Sequence, residues 1–262
     1  MSSIYRFAVR AFGCNILVET SNHEARAILE RYVFPSLPRM NTVGGSPDLR
    51  LRIVAIADRF QMWLDDVAVA SACRAISLVP DLIRALDEAV VKRLTNLRAV
   101  HAGAVMLRGR ALLLPGTTHA GKSSMIAELL RRGATYFSDE YALIDAYGLV
   151  HPYPRPLLLR NGCPEQVPVL PEECNASTGN APAPVGWILS LEYVPGCVWN
   201  LAPVPQSEAL LTLLQNTPHY LAESADMIEM FQRAVAGAAC YAGRRPHAAH
   251  AVNEILQLVE SS

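Results

Sequence analysis

The chain has 262 residues, of which 51% are hydrophobic and 18% charged, with a formal net charge of −1. That balance excludes a disordered polypeptide and leaves length for one large domain, or for a catalytic domain with a smaller lobe. No long run of Lys or Arg offers the basic stripe that nucleic-acid binding normally needs, and no apolar run approaches a membrane span.

Residues 1–98 read as a small α+β lobe. Tyr5 to Ala11 and Asn15 to Glu19 are expected as strands around a Gly13 turn, and Asn22 as the cap of a helix that stops before Pro35. Arg39 to Asp48 is loop-like. Leu49-Arg-Leu-Arg-Ile53 alternates as a half-buried strand does, Phe60 to Leu64 follows as another, and Asp65-Asp66 reads as a turn. After Pro80 and Asp81 the spacing predicts a helix with Leu82, Ile83, Leu86, Val90, Leu94 and Leu97 on its inner face. No chemical motif stands out in this lobe.

From Ala99 the pattern becomes strand, tight turn, strand, loop, helix, strand. Ala99 to Leu107 and Ala111 to Leu114 flank Arg108-Gly109-Arg110 as an antiparallel hairpin, and Tyr141 to Asp145 with Leu149 to Tyr153 form a second. Such hairpins call for a mixed sheet. Residues 161–186 read as a long loop, Trp187 to Tyr193 as a strand, and Ser207 as the cap of a helix. Further helices are expected near Met227 to Ala239 and His247 to Leu258.

Six cysteines occur without a C-x-x-C pair, which argues against structural zinc. Cys163 and Cys174 are near enough in sequence to approach each other, but a reducing compartment disfavours a disulfide. The opening Met-Ser-Ser-Ile-Tyr-Arg-Phe lacks the apolar core of a signal peptide, so a cytoplasmic protein without nucleic-acid or membrane partners is the expectation.

The most informative stretch is Gly116-Thr117-Thr118-His119-Ala120-Gly121-Lys122-Ser123, a complete G-x-x-x-x-G-K-[ST] phosphate-binding loop. In such a loop successive backbone N–H groups converge on phosphate oxygens, the lysine adds charge near the β- and γ-phosphates, and the serine hydroxyl suits Mg²⁺. The context fits. Arg110 to Pro115 reads as a buried strand, and Met125, Ile126, Leu129 and Leu130 recur on one face of a following helix that Gly133 can close. A helix N-terminus itself attracts anions, so a nucleoside triphosphate site is expected.

The run VHAGAVMLRGRALLLPGTTHAGKSSMIAELLRRGATYFSDEYALID resembles the catalytic domain of the HPr kinase/phosphorylase family. It looks closer still to the HPr-kinase-related proteins encoded beside peptide-modification genes. The resemblance is strong over roughly residues 99–160, weaker over Ile188 to Thr217, and in the first lobe extends only to the general layout. It implies a fold of class α/β (mixed α+β), with a P-loop kinase domain of the HPr kinase/phosphoenolpyruvate carboxykinase type over 99–262. The small N-terminal α+β lobe over 1–98 and C-terminal helices complete that expectation. ATP and Mg²⁺ are the implied cofactors, and a serine on a small protein or peptide is the implied acceptor. HPr kinases form oligomers, so a homo-oligomer is an expectation from the resemblance alone.

Carried over by position, His101 matches the family's histidine on the strand before the loop, and Asp139 and Glu140 match an acidic pair. In the family that pair is two aspartates, the first serving as general base and the second helping to hold Mg²⁺. The resemblance therefore gives Asp139, His101 and Lys122 as catalytic residues and Ser123 with Glu140 as metal ligands. Gly116 to Ser124, including Ser124, would bind nucleotide. A serine hydroxyl attacking the γ-phosphorus does need a proton acceptor, and the triphosphate needs metal and cationic charge. Glu140 and His119 depart from the family, which has aspartate and usually glycine at those places. No match to the phosphorolysis segment of the bifunctional enzymes is present, so a kinase alone is expected.

Each residue also has a plainer reading. His101 would serve as a core histidine, Asp139 as a turn residue, and Glu140 as a solvated carboxylate. Arg155 and Arg160, in Pro-Tyr-Pro-Arg-Pro-Leu-Leu-Leu-Arg, are of the type that neutralises transferring phosphate, with surface charge as the alternative. Tyr147 and Tyr153 read as packing residues. The first lobe and residues 161–186 are left to bind the acceptor. Small-molecule kinase and non-catalytic nucleotide-binding regulator are the competing functions.

Overall fold

Two-residue turns join many neighbouring strands, and their backbone explains why. At Arg108-Gly109 both φ angles are positive, 49° and 75°, which matches the right-handed twist of the flanking strands. The computed structural model describes residues 4–35, 37, 39–40, 46–116, 121–160, 162, 165–218 and 225–261. Among these the protein is mixed α/β, with six α-helices and three β-sheets. No helix among them is long and apolar enough to cross a membrane. The chain divides into two compact units, Met1–Leu94 with Arg160–Pro168, and Thr95–Leu159 with Val169–Ser262.

The first unit begins with strands β1 (Tyr5–Ala11) and β2 (Cys14–Thr20), then helix α1 (His23–Ile28) and a π-helical turn, Leu29–Val33. Strands β3 (Arg39–Met40), β4 (Leu49–Ile56), β5 (Arg59–Leu64) and β6 (Val67–Ala72) follow, then a 3₁₀ turn, Ala75–Leu78, and helix α2 (Val79–Val91). The sheet order is β3-β1-β2-β4-β5-β6. Among the described residues of this sheet only β2 and β4 pair in parallel, and α1 lies in the crossover between them. Asn22 caps α1 as its sequence position predicts, its Oδ1 accepting from Glu24 N at 2.8 Å and Ala25 N at 3.1 Å. Alternation in β4 buries Leu49, Leu51 and Ile53 and leaves Arg50 and Arg52 exposed.

Several expected boundaries shift. Helix α2 ends at Val91, because Arg93 N–H bonds back to Val90 O in a tightening turn and Leu97 is taken up by a strand. Part of the Arg39–Asp48 stretch is strand β3. β6 carries no alternation, being largely exposed on both faces, and escaped the sequence pattern.

The second unit contains β7 (Leu97–Leu107), β8 (Arg110–Pro115), α3 (Lys122–Arg131), β9 (Thr135–Ser138), β10 (Tyr141–Asp145) and β11 (Leu149–His151). Short strands β12 (Leu157–Leu159) and β13 (Val167–Val169) form the two-stranded third sheet, with a 3₁₀ turn, Pro171–Cys174, after them. β14 (Ala183–Tyr193), β15 (Asn200–Pro203), α4 (Gln206–Gln215), α5 (Ala225–Val235), β16 (Ala239–Arg245) and α6 (Ala248–Ser261) complete the chain.

Residues 161–186 are thus not one loop: they hold a strand, a 3₁₀ turn and the start of β14, whose Ala183 and Pro184 pair with β11. Ser207 does not cap α4. It lies inside the helix, and Pro205 occupies the cap position without a side-chain bond. The helix expected to reach Ala239 stops at Val235, and Ala239 opens β16.

The main sheet is mixed, as the hairpins require. Its order is β11-β10-β7-β8-β14-β16-β15, with β9 beside β7. β8, β14 and β16 run parallel, whereas β7 pairs antiparallel with β8, β9 and β10. β11 also pairs with β14, so the path β11-β10-β7-β8-β14 closes on itself. Side chains of β8 alternate between two cores. Ala111 and Leu113 join Leu213 of α4 and Phe231 of α5, while Leu112 and Leu114 join Ile126 of α3 and Ile255 of α6. Both faces are covered, which is why this strand reads as an unbroken apolar run.

Helix α3 lies close on β7 because Gly103 has no side chain. A Cβ there would stand 2.7 Å from Ile126 Cγ1 and 2.8 Å from its Cδ1. Gly103→Ala is therefore expected to destabilise the protein by about 1–3 kcal/mol through overpacking. In a double-mutant cycle read by urea unfolding, Ile126→Ala should absorb part of that loss. Strict additivity would mean that the contact does not hold α3 in place.

Candidate functional site

β8 delivers the chain to Gly116, whose N–H donates to His101 O at 3.1 Å. Thr117, Thr118, His119 and Ala120 lie outside the described residues. The chain is described again at Gly121, which caps α3 with φ 75°, a left-handed conformation that suits glycine. At its other end α3 closes as the sequence suggests: Ala134 N–H bonds Leu129 O at 3.1 Å and Gly133 N–H bonds Leu130 O at 2.9 Å. Lys122 is buried, and its Nζ donates to Gly116 O at 2.8 Å. Ser124 sits exposed in the first turn.

Asp139 follows β9 in a turn that Ser138 stabilises by accepting from Tyr141 N at 3.2 Å. Its carboxylate is buried and hydrogen-bonds the Ser123 hydroxyl and the backbone at Leu158. Oδ1 is buried with no hydrogen-bond partner among the described residues. Burial pushes the Asp139 carboxyl up from 3.8 to about 6, and the charge of Glu140 pushes it the same way. The Ser123 bond, the Lys122 ammonium and the Leu158 bond oppose that rise without cancelling it.

Glu140 turns elsewhere. Its Oε1 stands 3.3 Å from His101 Nδ1, an ion pair only while the imidazole is protonated. The His101 ring also lies 4.6 Å from the ring of Tyr141. The His101 backbone joins three elements. Its N–H donates to Asn216 O at the end of α4 at 2.7 Å, and its carbonyl accepts from Gly116.

Two arginines of the sequence reading part company. Arg155 is buried in the second unit, its guanidinium 5.3 Å from the Tyr153 ring centre and its carbonyl accepting from Tyr136 OH at 2.9 Å. Tyr153 is buried as a packing residue, whereas Tyr147 is 81% exposed and packs against little. Arg160 is exposed, belongs to the first unit, and lines a groove there with Arg74 and Arg84.

A third arginine enters that the sequence reading missed. Arg245 ends β16 and is buried; its Nη2 donates to Gly121 O at 3.2 Å and its Nη1 to Pro246 O at 3.2 Å. The guanidinium lies 4.9 Å from the Tyr193 ring centre, and burial holds its pKa below the usual range. A Cβ on Gly121 would collide with it. The available signal was an Arg-Arg pair closing an apolar segment. In α/β sheets ligands gather at the carboxyl ends of parallel strands, and β8 and β16 both end here.

Lys122, Arg245 and the start of α3 thus give a cationic wall suited to phosphate. Among the described residues no three His, Cys, Asp or Glu side chains cluster as a metal site. Mg²⁺ at a triphosphate needs few protein ligands, however, and a serine hydroxyl beside an unpartnered buried carboxylate oxygen fits that requirement. Of the two ligands expected, Ser123 bonds Asp139, and Glu140 reaches His101. Cys174 is buried and free of any disulfide, and Cys163 lies outside the described residues.

No protein-family model matches the chain, and no curated protein matches it either.

The raised Asp139 pKa has a thermodynamic consequence. A folded-state pKa above the unfolded value adds stability below about pH 4 that is lost as pH rises through about 6. Asp139→Asn removes that titration. Melting temperatures measured without nucleotide should show the variant gaining on wild type between about pH 4 and pH 6, with no further gain above. A difference constant across that range would show that Asp139 does not titrate there.

Proposed function

We propose that this protein is an ATP- and Mg²⁺-dependent phosphotransferase of the HPr-kinase-related type, acting on a serine hydroxyl of a small protein or peptide. The observation that carries the reading is the meeting of Lys122, Ser123 and buried Asp139 at the end of β8, where the phosphate-loop motif of the sequence lies. The covered mixed sheet with α3 against it supports the P-loop kinase architecture that the resemblance implies.

ATP with Mg²⁺, when bound, supplies the phosphoryl group and much of the charge that neutralises it. Lys122 and the backbone at the start of α3 hold the phosphates, and Arg245 adds a second cation beside them. Asp139 accepts the proton of the serine hydroxyl at Oδ1, going from carboxylate to carboxylic acid as the serine O–P bond forms, the bond from the γ-phosphorus to the bridging oxygen breaks and ADP leaves. A carboxyl poised near 6 is ionised at neutral pH yet basic enough to take that proton. Ser123 and Glu140 face the metal in this reading, and His101 supports the reacting phosphates.

A second assignment of roles is favoured by one specific contact. Because Ser123 bonds Asp139, the metal carboxylate is Asp139 in that version, and Glu140 with His101 takes the proton. The two versions separate in a Mg²⁺ titration of transfer from γ-labelled ATP to arrayed serine peptides. With Asp139 as base, Asp139→Asn stays inactive at every Mg²⁺ concentration while Glu140→Gln recovers at high Mg²⁺. With the roles exchanged, the two variants exchange behaviours. Transfer unchanged in both would remove both carboxylates from the chemistry. Binding of ATP without transfer to any peptide, protein or small hydroxyl compound would leave a nucleotide-binding regulator, and transfer to small hydroxyl compounds alone would make it a small-molecule kinase.

Nucleotide binding tests the cationic wall separately. A fluorescent ATP analogue should bind Lys122→Ala and Arg245→Gln about tenfold or more weakly than wild type, a loss of ~1.4 kcal/mol or greater. Melting temperatures would show whether each variant stays folded. Unchanged affinity in a folded Arg245→Gln would give that arginine a purely structural place.

A further inference from the structure

β6 is an edge strand of the first unit's sheet, with β5 as its partner among the described residues. Edge strands are normally protected by Lys, Pro or inward-pointing charge, since their unpaired N–H and C=O groups invite another strand. β6 carries no Lys, Pro or charged residue, and its one irregularity is a register break at Val69, between the Met62–Ala70 and Trp63–Ala68 pairs. Its sequence is Val-Ala-Val-Ala-Ser-Ala, and Val67 and Val69 are 64% and 45% exposed.

The C-terminal end of this strand opens into a groove of about 660 Å³, within the same unit, to which Ser71 and Ala72 contribute. Arg74, Arg84 and Arg160 line it, against the single carboxylate of Glu165. Arg84 is engaged by Asp81 at 2.9 Å and by Gln166. The side chains of Arg74 and Arg160 form no hydrogen bond or ion pair among the described residues and are exposed. Arg59 holds the strand end in place, its Nε donating to Ser71 Oγ at 3.0 Å.

We infer that β6 and this groove together form a docking site for an extended peptide segment that pairs with β6 as an added strand and carries acidic residues into the arginine-lined groove. Backbone pairing along β6 supplies affinity, and the guanidiniums select charge at one end. Continuity favours a peptide over a small anion: Ser71 and Ala72 belong both to β6 and to the wall of the groove. Under the phosphotransferase reading this peptide would flank the acceptor serine, but docking itself does not rest on that reading and is measured without nucleotide.

Two fluorescein-labelled probes test it by anisotropy on the full chain. Both contain a Thr-Val-Thr-Val-Thr-Val core, one preceded and the other followed by Glu-Asp-Glu. The expected result is binding of one orientation, weakened about tenfold or more by Arg74→Glu with Arg160→Glu, and weakened similarly when alternate core amides are N-methylated. Both arginines are exposed, so the variant keeps its fold. Neither probe binding would overturn the proposal, as would equal binding of the N-methylated probe or of a core lacking the acidic residues. A concentration-dependent dimer that Val69→Lys makes monomeric would also overturn it, because a second copy would then occupy the edge.

Discussion

A carboxylate taken out of water is unfavourable unless neighbours compensate it, and the second unit is organised around one such group. Asp139 sits at the end of β9, bonded on one side to Ser123 of α3 and on another to the backbone at Leu158. Lys122 lies near enough to favour its charged form, yet burial and Glu140 win, leaving the carboxyl near 6. The balance depends on α3 being held close to β7 by Gly103, since Ser123 and Lys122 ride on that helix. Looser packing would admit water to Asp139 and bring its carboxyl back toward ordinary behaviour.

Rigidity comes from the sheet. The path from β11 through β7 to β14 closes on itself, and both faces of β8 are buried under helices. At His101 the backbone of β7 serves Asn216 and Gly116 together, so the end of α4 and the residue that follows β8 share one partner. Arg245 fastens the same region from β16 through Gly121 O. Groups carried by strand ends and one helix start are held in place by the sheet and not by a mobile loop.

The sequence was legible where local rules and tertiary demands coincide. Asn22, the Arg108-Gly109 turn and Gly133 each perform locally what their residue type suggests, and the mixed character of the sheet followed from the two hairpins. β6 and β16 escaped because neither alternates: one is exposed on both faces, the other runs beside β14 between covered layers. Ser207 misled since a cap depends on backbone conformation, and Pro205 already supplies the extended residue. Lys122, Ser123 and Asp139 could be named from spacing and resemblance. Arg245 could not, because its place comes from the parallel pairing of β16 with β14, more than a hundred residues from Gly121.

Glu140 shows how one methylene alters a site. An aspartate at this position would have less reach; the glutamate carboxylate extends back to His101 on β7, 3.3 Å from Nδ1. That contact couples three groups in a row. Glu140 in turn raises the Asp139 pKa by its charge, so the buried carboxylate feels a residue that itself reaches the β7 histidine.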